Sequence, residues 1–193
     1  MKHNKKIASA TAATLVLLAG CATQVKTPTT SVNPAPEMAF SRYNTFTLKP
    51  INTTESCDKQ HGGDVALNEI QASLDRKLGA TINTWNTRKA KGVAERKLVI
   101  EPVCSDAKLV GGAARFWGGA LAGSSAIVMK IRYVDQSTGK TIAEPVFYQR
   151  AAAMGGAWTM GATDKNMLVR IVDLMTEYTI NNYQQAVGGP TGL

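Results

Sequence analysis

Between residues 127 and 150 the chain commits itself to an antiparallel hairpin. Ile127, Met129, Ile131 and Tyr133 alternate with Val128, Lys130, Arg132 and Val134. That period of two puts the first set on a buried face and the second on an outer one. Residues 135–140 read Asp-Gln-Ser-Thr-Gly-Lys, turn chemistry in which Gly139 is free to take a positive φ. Residues 141–150 return as the partner strand, with Pro145 bending or bounding it. A lone hairpin is marginal in water, so further strands or helices must cover its apolar face.

Two helical patterns supply that cover. From Asp64, a plausible N-cap, to about Asn86, the residues Leu67, Ile70, Leu74, Leu78, Ile82 and Trp85 recur at steps of three and four and form one apolar face. Glu69, Asp75, Arg76 and Lys77 occupy the opposite one. A closing helix over about 163–185 places Leu168, Ile171, Val172, Met175, Tyr178 and Thr179 together. Residues 43–48 mix aromatic and β-branched side chains and read as a first strand, and residues 97–104 as a second. Pro102 lacks an N–H, which predicts an edge position or a strand end. The order β-α-β-β-β-α predicts an α+β two-layer sandwich: a mostly antiparallel four-stranded sheet with two helices on one face.

Three cysteines divide into one and two. Cys57 and Cys104 form the simplest pair, a disulfide if the chain enters an oxidising compartment. Closing that loop stabilises a fold by about 4 kcal/mol in the chain-entropy model. A metal would need further ligands, and past the first 20 residues only His61 is present, four residues after Cys57. His61 reads as a surface-loop histidine with no nucleophile elbow near it. Glu101, Asp106, Asp135 and Glu144 are scattered and give no paired-carboxylate signature. No phosphate-binding glycine loop occurs either. The chain is therefore expected not to be an enzyme, and to hold no metal and no cofactor.

The stretch 110–125 carries five glycines around Arg115, Phe116 and Trp117, and residues 151–161 repeat the small-residue theme around Trp158. The plain expectation is loop and strand packing. A second is a ligand or partner surface in which Trp117 and Trp158 are stacking walls and Arg115 a charge. A third takes Gly119 and Gly123 as a close-packing pair in a membrane-associating helix. Against the third, the uncharged run 116–129 is 14 residues long, short of the roughly 20 needed to span a bilayer.

The N-terminus is the most directive segment for location. Lys2, Lys5 and Lys6 precede a 13-residue uncharged run, 7–19, as in a secretory signal. Leu18-Ala19-Gly20-Cys21 resembles the bacterial lipobox, in which the thiol takes diacylglycerol and cleavage leaves the cysteine as the new N-terminus. Lipoproteins of this kind carry further acyl chains such as palmitate, and two or more chains make the anchor stable. Removing residues 1–20 leaves 173 of the 193 residues and lowers the formal charge from +8 to +5. A mild positive balance favours anionic envelope partners. Nucleic acid is not expected in that compartment. Ala22 stands where, in enteric-type bacteria, an aspartate marks retention in the inner membrane. The expectation is thus the outer membrane, facing the periplasm. Residues 21–39, with three prolines and four threonines after Cys21, read as a tether reaching up to roughly 50 Å. The domain is expected over 40–187, and 188–193 as a disordered tail.

Taken together, Cys21, Gly111 to Gly123, the strand 127–134, the Asp-x-x-Thr-Gly turn 135–139, the strand 141–150, the segment 154–161 and the closing helix resemble a family of uncharacterised bacterial lipoproteins with a domain of unknown function. The resemblance covers about half the chain. It implies periplasmic placement and an α+β fold, and it carries no active site. The expected role is that of an envelope accessory or assembly factor acting by binding. Glycan or lipid binding through the Gly/Trp-rich segments, or membrane association through a glycine zipper, are the alternatives.

Overall fold

The computed structural model describes residues 25–60, 62–88, 94–110, 123–151 and 162–193. Its centre is the predicted hairpin. Strand β5 (Ala126–Asp135) returns as β6 (Thr141–Ala143) and β7 (Val146–Arg150), one line of chain interrupted at Pro145. Asp135 builds the turn: its Oδ1 accepts from the Ser137 N–H at 2.9 Å, and Gly139, at φ +70°, donates its N–H to the Asp135 carbonyl at 2.8 Å.

On the other side of β5 lies β4 (Lys97–Lys108), antiparallel to it. Two short strands, β2 (Thr45–Leu48) and β3 (Asn52–Thr53), then run parallel to β4. They too form one interrupted line, broken at Pro50. The sheet therefore has four lines of strand, in the order β2/β3, β4, β5, β6/β7. This is the expected α+β sandwich. Its single parallel pairing follows from the helical connection between β2 and β4, because a long crossover returns the chain in the same direction.

That connection holds a short helix α1 (Glu55–Asp58), then α2 (Gly63–Leu74), which passes through a π-type turn at Asp75–Gly79 into α3 (Ala80–Thr87). The N-cap is Gly62 at φ +74°, not Asp64, which lies in the first turn. The left-handed backbone there brings the chain round from α1 so closely that a Cβ on Gly63 would stand 2.9 Å from the Cys57 carbonyl oxygen. Ile70, Leu74, Leu78, Ile82 and Trp85 are buried as the spacing requires. The closing helix α4 (Ala162–Asn181) lies beside them, with Leu168, Ile171, Val172, Met175, Tyr178 and Thr179 buried and a Lys77–Asp173 ion pair at the helix–helix surface. Phe40 stacks on Tyr133 at 4.5 Å between ring centroids, and Trp85 on Tyr183 at 4.1 Å.

Three expectations are overturned. Pro102 lies inside β4, a central strand, opposite Ile131. The Ile131 N–H points the other way, to the Pro145 carbonyl at 3.2 Å. The proline's missing donor therefore faces the break between β2 and β3, where no acceptor is waiting.

Second, the segment expected as a tether over 21–39 is bound to the domain wherever it is described. β1 (Val32–Asn33) pairs with β8 (Gly189–Pro190). The Asn33 side chain accepts from the Val146 N–H at 2.8 Å and donates to the Val146 carbonyl at 2.9 Å, as a neighbouring strand would. Glu37 N–H donates to the Ile142 carbonyl, and the Tyr178 hydroxyl donates to the Pro34 carbonyl, each at 2.9 Å.

Third, residues 188–193 are not a disordered tail. Thr191 is 1% exposed; its N–H donates to the Ser31 carbonyl and its carbonyl accepts from the Tyr148 N–H. One physical reason covers both termini. The line β6/β7 is an edge of the sheet, its outward N–H and C=O groups need partners, and the segments around Asn33–Glu37 and Thr191 provide them.

Candidate functional surface

Among the described residues the helices cover one face of the sheet and not the other, the open face, on which Val99, Ala126 and Val128 are nonetheless buried. Alternation and register set out the open face as rows across β4, β5 and the edge line: Glu101 opposite Arg132, Val103 opposite Lys130 and then Val146, Asp106 opposite Val128 and then Tyr148, and Lys108 opposite Ala126 and then Arg150. Between Cys104 and Asp106 the register shifts by a bulge, so Ser105 is the extra residue and Cys104 stays on the core side. Glu101 and Arg132 form an ion pair at 3.5 Å. Among the described residues Lys108, Lys130 and Arg150 are in none.

Residues 25–31, a strap leading into β1, cross this face at the end where β4 finishes. The Lys26 backbone N–H donates to Asp106 Oδ2 at 3.0 Å. Under the crossing is a cleft of about 450 Å³, lined by Lys26, Pro28, Ser105, Asp106, Val128 and Lys130 among others. A second cleft of about 240 Å³, mostly apolar, opens between the first turns of α2 and α4 beside the end of β4, with Val65, Ala66, Leu109, Met167 and Leu168 in its wall.

Cys57 and Cys104 are joined in a disulfide that ties α1 to β4 in the core, with 1% and 0% exposure. Its place is structural, since no thiol-bearing partner can reach sulfurs so enclosed. Cys21, His61, Arg115, Trp117 and Trp158 lie outside the described residues, as do Gly119 and the first half, 116–122, of the run 116–129. The three readings of the Gly/Trp-rich segments accordingly rest where the sequence left them. Among the described residues no group of three metal-ligating side chains converges, and no helix is long and apolar enough to cross a membrane.

The scattered carboxylates have individual tasks. Glu101 pairs with Arg132, Asp106 holds the strap, and Asp135 holds the turn. Asp135 also accepts from the Tyr43 hydroxyl at 3.0 Å, while Arg96 lies over the Tyr43 ring. Hydrogen bonds from Ser137 hold the Asp135 carboxyl below its ordinary range, and burial together with Asp135 pushes the Tyr43 phenol up to about 12. Burial raises Tyr133 as well, whose hydroxyl meets Thr179 Oγ1 at 2.6 Å within the core. These groups fasten the fold; of them Glu101 and Asp106 lie on the open face, and Asp106 lines the cleft under the strap. The open-face cations Lys108, Lys130 and Arg150 were missed in the sequence because each is a single residue on a different strand line. Outward parity in strands already recognised was the signal for Lys130 and Arg150, whereas Lys108 lies beyond the recognised strand and past the bulge.

No family model matches the chain, and no curated protein matches it. Three solved structures are distantly similar. The PelC dodecamer from Paraburkholderia phytofirmans has 13% identity and a TM-score of 0.40, over 74% of this chain and 96% of that one. Protein XCC0632 from Xanthomonas campestris, assigned to DUF330, has 10% identity and a TM-score of 0.41, over 82% and 96%. A candidate lipoprotein from Caulobacter crescentus has 12% identity and a TM-score of 0.33, over 70% and 89%. Likenesses of this size say nothing of what this chain does.

Proposed function

We propose that this protein is a lipoprotein anchored through Cys21 in the outer membrane, with its domain in the periplasm, acting by binding as an accessory or assembly factor of the envelope rather than as an enzyme. The observation that carries the reading is the buried Cys57–Cys104 disulfide. A cross-link of this kind persists in an oxidising compartment, and residues 1–21 have the pattern of a lipoprotein export signal. A binding role rests on the form of the domain: an open sheet face, two clefts and carboxylates committed to the fold. Intact-mass analysis of the mature protein tests the anchor. The expected N-terminus is a diacylated or triacylated Cys21, and Cys21→Ser leaves the protein in the soluble fraction. An unmodified thiol at Cys21 would sink the placement. Crosslinking in intact cells tests the role, with recovery of a defined envelope partner expected and none above background counting against it. Glycan or lipid recognition through Arg115, Trp117 and Trp158 remains a second expectation, tested by tryptophan fluorescence against peptidoglycan fragments.

A further inference from the structure

The strap changes what an anchor at Cys21 does. Because the Lys26 N–H is bound to Asp106, only the chain from Cys21 to Lys26 separates lipid from domain, and five residues span at most about 18 Å. The anchor therefore leaves the domain at the open-face end of the sheet where β4 finishes. At that same end stand Lys26, Lys108 and Arg150, with Lys130 midway along β5 in the wall of the cleft under the strap and the Asp106 carboxylate already engaged by the strap. We infer that this end of the open face is a membrane-facing surface that lies on the anionic phospholipid bilayer carrying the anchor, with the hairpin turn at Asp135–Lys140 pointing away.

The inference rests on the lipoprotein reading and adds an orientation to it. Two observations carry it. One is where the chain outside the described residues departs, which forces this end to be the near one. The other is charge: cations within a Debye length of an anionic surface, about 8 Å at physiological salt, each favour contact by about fivefold. A floppy tether of the length first expected would let the domain tumble and leave such cations without a standing partner.

The test uses the full, lipid-modified chain in vesicles containing phosphatidylglycerol. With Cys21 in a thioether and Cys57 and Cys104 closed, a maleimide fluorophore labels only an introduced cysteine. Thr29→Cys reports from the strap and Thr138→Cys from the hairpin turn; both positions are exposed. Strand β5 separates the two ends of the sheet by about 30 Å at 3.3 Å per residue. A nitroxide lipid headgroup is expected to quench the Thr29→Cys probe several-fold more than the Thr138→Cys probe. Equal quenching, or stronger quenching at Thr138→Cys, overturns the orientation. The contrast is expected to shrink in phosphatidylcholine vesicles, at high salt, and in the triple variant Lys108→Glu, Lys130→Glu, Arg150→Glu. A contrast indifferent to all three overturns the cationic contact. Intact mass and vesicle flotation report the anchor separately. A chain without acyl groups would bring down the lipoprotein reading, whereas an acylated chain lacking the contrast would bring down only this inference.

Discussion

The hairpin turn at 135–140 and the clasp of the two chain ends do the same work by opposite means. In the turn, Asp135, Ser137 and Gly139 are neighbours in sequence, and their bonds close over four residues. In the clasp, Asn33 meets Val146 and Pro190, and Thr191 meets Ser31 and Tyr148, across 43 to 160 positions. The turn is recognised by its residue types. The clasp is made from proline, threonine, glycine and asparagine, a composition that elsewhere marks free chain. The difference teaches that such composition shows a segment cannot build a core of its own. It does not show what the segment does when a sheet edge offers unpaired backbone groups.

Removing residues 188–193 is the strongest way to break this comparison. A free tail would cost nothing. The clasp loses the three Thr191 bonds to Ser31, Thr30 and Tyr148 and the two Gly188 bonds to Asn182, and at about 1 kcal/mol for each bond the loss is about 5 kcal/mol. A lower denaturant midpoint, with hydrogen exchange released at Tyr148, is the expected readout.

Next comes Asn182→Ala. Asn182 is fully buried; its amide donates to the Tyr178 and Gly188 carbonyls and its Oδ1 accepts from the Val187 and Gly188 N–H groups. Leaving those groups without partners costs about 3 kcal/mol, measured by urea unfolding. Asn33→Ala removes the two bonds that stand in for a strand beside Val146, and about 2 kcal/mol is expected. If Asn33→Ala leaves stability unchanged, the edge-closing account of the strap fails.

The turn should respond more mildly. Gly139 has φ +70° and open space around its Cα, so Gly139→Ala meets only backbone strain and costs about 1 kcal/mol in thermal unfolding. The smallest effect is in pH. Because the folded protein holds Asp135 below its ordinary range, the stability that this group contributes is present above that range and is lost as pH falls through the folded value. Asp135→Asn should flatten the acid limb of the stability profile and leave the neutral-to-basic limb parallel to the wild type. Parallel curves throughout would show that Ser137 and Tyr43 do not hold the carboxylate.

Much of the candidate surface was within reach of the sequence, and part was not. The alternation of Lys130 and Arg132 with Ile131 and Tyr133 declared which side chains face outward. That Lys108 and Arg150 share the end row beyond Lys130 needed the strand register, including the bulge at Ser105 that turns Asp106 and Lys108 outward. The strap's bond to Asp106 had no sequence signal, because a backbone N–H is the same in every residue that has one.

Periodicity by itself determined the hairpin, the two apolar helix faces and the α+β class, since an apolar residue repeated at the right interval selects one face wherever the chain goes. The cysteine count, with Cys21 set aside for lipid, left Cys57 and Cys104 as the pair to join. Tertiary structure alone decided that Pro102 could sit inside a central strand, that β2 runs parallel to β4, and that residues 25–39 and 188–193 belong to the domain. Those decisions turn on which backbone donors and acceptors a finished sheet leaves unpaired, and that exists only once the strands have met.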